Sequence, residues 1–122
     1  MWFRIFPAVF LTAGIITNII TIQEIRLKKF VLLHYGFEPP TQDIMNSWNN
    51  WFKTIEERLV ETGSGFSAGI EVTESGTRDL EFDKDAITGY NVITAEDIEE
   101  AEKIAKTCPF ITAIRVYEIR SI

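Results

Sequence analysis

Apolar residues run together, alternate or recur along residues 28–122 in an order that spells strand, helix, strand, strand, helix, strand. The run Lys28-Lys-Phe-Val-Leu-Leu-His-Tyr is apolar up to His34, as expected of a strand buried on both faces. Residues 36–40 break it, and Thr41 is placed to cap a helix with Asp43 in its first turn. Ile44, Trp48, Trp51/Phe52, Ile55 and Leu59 recur at helical spacing, which predicts one buried stripe and a helix to about Glu61, with Gly63 as its C′ residue. Phe66–Thr73 and Thr77–Phe82 flank Glu74-Ser75-Gly76, a hairpin signal. Ala86–Thr94 reads as a stronger strand, in which Gly89 marks a bulge or a close approach. Thr94-Ala-Glu-Asp opens a second helix with a cap-like Thr and early acids. Its apolar face is Ile98, Ala101, Ile104, Ala105 and Cys108, and Pro109 stops it. Ala113–Arg120 alternates as the last strand.

Two β-α-β units crossing right-handedly predict an α+β, ferredoxin-like β-α-β-β-α-β domain: an antiparallel four-stranded sheet with two helices on one face. The strands nevertheless carry apolar residues at both parities, such as Phe30 and Val31, or Val116 and Tyr117. The face without helices must then be buried, and a second copy under twofold symmetry does this most simply, so a homodimer is expected.

Residues 1–27 stand outside this pattern. Ile5–Ile22 is an 18-residue run without charge, just long enough to span a membrane. Three readings stay open: a membrane anchor, a cleaved signal, or an extension from a start placed upstream of Leu27, whose codon can serve as a bacterial start. The segment is expected to contribute little to the 28–122 domain. A cytoplasmic location is expected, with anchoring through residues 5–22 as the alternative, so a membrane is a partner only in that case.

The chain has 122 residues, enough for one domain with a self-sufficient core. From Lys28 onward, 10 Lys+Arg against 17 Asp+Glu gives −7, which argues against nucleic acid as a partner. Cys108 is the single cysteine, so neither an intrachain disulfide nor a cysteine-based zinc site can form. No phosphate loop, metal-ligand spacing or Ser-His-Asp set is present, and no cofactor is expected.

The blocks Lys28-Lys-Phe-Val-Leu-Leu-His-Tyr-Gly-Phe-Glu, Trp48-x-x-Trp51-Phe52, Ile87-Thr-Gly-Tyr-Asn-Val-Ile, and Cys108-Pro-Phe followed by Ile114-Arg-Val-Tyr-Glu-Ile-Arg resemble the YCII-related (DGPF-type) family. The resemblance covers residues 28–122 and none of the first 26. It implies a dimeric α/β barrel in a family proposed to be enzymatic but mostly uncharacterised. Relatives of that architecture are dehydrochlorinase-like, lactone-isomerase-like and monooxygenase-like, so the fold constrains chemistry poorly.

His34, the only histidine, lies near the end of the first strand and is the candidate general base or acid. The resemblance implies an Asp partner in an Asp-Pro-aromatic block, but Thr107-Cys108-Pro109-Phe110 stands there. Glu118, on a strand expected beside the first, is the substitute. Trp48 and Trp51 are candidate pocket walls, and Tyr90, Asn91 and Arg115 candidate substrate-binding groups, with Tyr117 a further polar-tipped residue beside them and Arg115 suited to a carboxylate or enolate. Cys108 ends a helix rather than starting one, so its thiolate is not favoured. Two functions follow: a cofactor-independent enzyme moving a proton on a small cyclic or aromatic acid, or a non-catalytic ligand-binding or accessory dimer. The surroundings of His34 discriminate between them. A polar cavity with a second titrating group favours the enzyme, and apolar sealing favours the binder.

Overall fold

A computed structural model of the chain describes residues 26–121. The expectations for residues 1–25 lie outside the described residues. The elements are β1 (Lys28–Tyr35), α1 (Gln42–Thr54), β2 (Leu59–Gly65), β3 (Gly69–Thr73), β4 (Gly76–Leu80), β5 (Ile87–Ala95), α2 (Ile98–Lys106) and β6 (Ala113–Glu118). Four strands form an antiparallel sheet in the order β2-β5-β1-β6. The domain is therefore α+β, with two helices and a four-stranded sheet whose order is compatible with a ferredoxin-like arrangement. The sheet is open and does not close on itself.

Register sorts the side chains into two faces, since residues directly opposite one another share a side. Phe30 faces Ile93 and Glu118, Leu32 faces Asn91 and Val116, and His34 faces Gly89 and Ile114. On the other side, Val31 faces Val92 and Tyr117, and Leu33 faces Tyr90 and Arg115. The first set packs under both helices: Phe30, Leu32, Ile93 and Ala95 form one core with Trp51 and Ile55 at the end of α1 and with Ala101 and Ala105 of α2. Truncating Phe30, fully enclosed there, would cost about 3–5 kcal/mol. Among the described residues the second face carries no helix.

The hairpin strands run Gly69–Thr73 and Gly76–Leu80 rather than Phe66–Thr73 and Thr77–Phe82, the next strand runs Ile87–Ala95 rather than Ala86–Thr94, and three further boundaries differ from the sequence reading. The first helix stops at Thr54, not near Glu61, because the chain turns at Ile55–Arg58 and enters the sheet. There the Arg58 carbonyl accepts from the Thr94 amide at 2.7 Å, a bond a continued helix would forgo. Gly63 is accordingly no helix C′ residue. It has φ +72° inside an irregularity of β2, packed against the Tyr90 carbonyl. The second helix is capped by Asp97 rather than Thr94: Asp97 Oδ1 accepts from the Glu100 amide at 2.9 Å, and Glu100 Oε1 accepts from the Glu96 amide at 2.7 Å. Thr94 remains in β5. The final strand ends at Glu118, two residues short of Arg120.

The hairpin forms about Glu74-Ser75, but it is a separate two-stranded arm of β3 and β4. The sheet's other edge strand is β2, made from the segment read as the end of the helix. Gly89 sits where β1 and β5 shift register, close to the Ser64 carbonyl.

Candidate functional site

His34 is reached by following β1 along its helix-side parity. The residue is 8% exposed, and its Nε2–H donates to Asn91 Oδ1 at 2.6 Å across the β1–β5 ladder. With the proton on Nε2, Nδ1 is left to accept from the Cys108 thiol at 3.9 Å. Trp48 and Trp51, three apart on α1, close over the imidazole edge-on, at centroid distances of 5.1 and 6.1 Å. The Trp51 indole N–H donates to Thr107 Oγ1 at 2.8 Å, which pins α1 to the end of α2. Burial lowers the His34 pKa, and the Asn91 bond only partly opposes this. Burial also pushes the Cys108 thiol up to about 12. At neutral pH the pair is a neutral imidazole and a neutral thiol. Asn91 is 0% exposed, and its Nδ2 has no hydrogen-bond partner among the described residues.

The structure thus brings His34, Asn91, Trp48 and Trp51 together and leaves the other candidates elsewhere. Glu118 shares the parity of His34 but lies opposite Phe30, four residues along β1, or roughly 13 Å away. It sits 3.8 Å from Lys28 Nζ instead, so it cannot orient the imidazole. Tyr90 and Arg115 point through the opposite face. There the Arg115 guanidinium lies over the Tyr35 ring, 4.7 Å from its centroid. Tyr90 stacks with Phe66 at 5.9 Å and donates its hydroxyl to Glu61 at 3.4 Å. Arg115 has no carboxylate partner among the described residues. Sequence reasoning named Tyr117 with Arg115 but missed Tyr35, which strand alternation from Leu33, opposite Arg115, places on the same face.

The cavities are shallow grooves. One of about 570 Å³ follows the β2 edge beside Glu56, Leu59, Glu61 and Tyr90. Another of about 320 Å³ lies between α2 and β6, walled by Ala105, Phe110, Ile114 and Val116. Trp51 and Thr107 border a third of about 330 Å³. His34 lines none of them. Among the described residues no cluster of three or more His, Cys, Asp or Glu is arranged to hold a metal ion, and no helix is long and apolar enough to cross a membrane. No protein-family model matches this chain, and no curated protein matches it.

Proposed function

We propose that the chain is a homodimeric, non-catalytic ligand-binding protein of YCII-related, dimeric α/β-barrel architecture. Its ligand is a small cyclic or aromatic carboxylic acid, held on the helix-free sheet face. The observation that carries this reading is the segregation of the candidate groups. The only imidazole is sealed and neutral beneath the helices, while the exposed face presents an arginine that has no carboxylate partner among the described residues and lies on Tyr35 beside Tyr117. A guanidinium fork takes a carboxylate with two parallel bonds, and tyrosine rings offer an apolar wall with polar tips. A second copy over that face would exclude water and strengthen the ion pair. The sequence blocks quoted above support the same dimeric arrangement.

Benzoate titration followed by calorimetry or by NMR shifts tests the assignment. Arg115→Ala should weaken binding by at least about tenfold, about 1.4 kcal/mol, whereas His34→Gln should leave it unchanged. Equal affinity for both variants and the parent chain would refute it.

The enzyme reading keeps one favouring observation: the unpaired Asn91 Nδ2 beside a short His34 bond, since orphaned buried polar groups concentrate at functional sites. It requires α1 to lift from the sheet during turnover. An acid/base activity abolished by His34→Gln with the fold intact would select it.

A further inference from the structure

Among the described residues the β3–β4 arm has no helix or further strand packed along it. Every residue of both strands is exposed, and among the described residues neither strand makes extensive contact with the sheet or the helices. Register sorts the arm into a polar face with the Glu71–Arg78 ion pair at 2.6 Å and a face with Ile70, Val72, Thr77 and Asp79. Ile70 is 59% exposed and Val72 71%. A lone two-stranded hairpin is marginal in water and needs a surface to lie on.

We infer that the arm of one copy packs Ile70 and Val72 over the β6 margin of a second copy's open sheet face, roofing the Tyr35–Arg115–Tyr117 patch, so that each ligand site is completed by the partner chain. The inference rests on the homodimer proposed above and deepens it. Three observations name a second copy as the occupant. The arm springs from the open-face side of the sheet, since Phe66 at its root stacks on Tyr90 of that face. The margin it would cover holds Tyr117, 52% exposed and left at the edge when the inner strands β1 and β5 meet their counterparts. Area supplies the third. Four strands of six to nine residues give a face of roughly 19 by 25 Å, so two faces in contact cover about 950 Å², near six-tenths of a standard interface of about 1,600 Å². Two arms of about 10 by 16 Å, each laid against the partner, raise the covered surface to about 1,600 Å², within the standard range. The faces alone fall short, and the arms supply the difference.

Val72→Cys and Tyr117→Cys chains, each full length and carrying different tags, are mixed, re-equilibrated and mildly oxidised, with sedimentation run in parallel. Both positions are exposed, so folding is preserved, and Cys108 is buried and does not compete. A disulfide joining the two differently tagged chains within the dimer is expected. An Ile70→Lys/Val72→Lys chain should raise the dimer dissociation constant and weaken benzoate binding, each by about tenfold or more. A dimer that forms no such interchain disulfide overturns the arm's role and leaves the homodimer standing. A monomer by sedimentation overturns both.

Discussion

Replacing His34 by Leu probes whether the imidazole is a structural member of the core. Leu fills a similar volume but cannot donate to Asn91 Oδ1, so a fully enclosed amide would lose its only hydrogen bond. An orphaned buried polar group costs about 1–3 kcal/mol. Losing the edge-on contacts with Trp48 and Trp51 adds about 0.5–1.5 kcal/mol. Destabilisation of about 2–4 kcal/mol is expected, a large part of a domain's total stability. Urea unfolding followed by tryptophan fluorescence measures it, at one fixed protein concentration because the stability of the proposed dimer would depend on concentration. The double variant His34→Leu/Asn91→Leu should recover part of the loss, since removing both partners leaves nothing unpaired. The parent protein should also show a pH signature. Burial lowers the folded-state pKa of His34 below its ordinary 6.5, so the unfolded chain takes up the proton first as pH falls. Stability is then fully present above the unfolded pKa and declines below it by at most about 1.4 kcal/mol per pH unit, levelling once the folded imidazole protonates. The Leu variant should lack this slope. A cost below about 1 kcal/mol, with additive single and double variants, would refute the sealed-core account.

Cys108 should resist iodoacetamide at pH 8 in the native protein and react only on unfolding, because burial holds its thiol near 12; mass spectrometry of a timed reaction reads this directly. Gly63→Ala should lose at least about 2 kcal/mol, since φ is +72° there and the added methyl would collide with the Tyr90 carbonyl. Thermal unfolding of that variant is the check.

Residue pattern alone placed β1 at its observed bounds, the turn of the arm, and both helices where their apolar stripes lie. What it could not resolve were competitions decided by tertiary pairing. Ile55 and Leu59 continue the helical stripe, yet Leu59 reaches the same core from a strand after the chain reverses. Thr94 and Asp97 both begin plausible capping boxes. Thr94 is drawn into the ladder, where its hydroxyl bonds the Arg58 carbonyl, and the cap passes to Asp97. The Trp48–Trp51–His34 grouping was legible as chemistry of one region. The His34–Asn91 bond was not, because it depends on a cross-strand register that no local signal encodes.

Alternation along strands explains why adjacent candidates part company. Tyr90 and Asn91 are neighbours in the chain and suggest one site, yet successive strand residues point to opposite sides of a sheet. Asn91 goes under the helices with His34, and Tyr90 goes out with Leu33, Arg115 and Tyr117. A ligand arriving at the open face therefore meets a guanidinium and phenol rings, with the thickness of the sheet between it and the imidazole. From the other side, α1 bars the way. Trp51 and Ile55 are set in the core, and the indole N–H is tied to Thr107. Proton transfer by His34 to such a ligand would need that helix displaced, exposing Phe30 and Leu32 at about 25 cal/mol for each Å² of apolar surface. Binding at Arg115 leaves α1 and the core beneath it in place. That difference in cost is why the proposed function is recognition and not proton transfer.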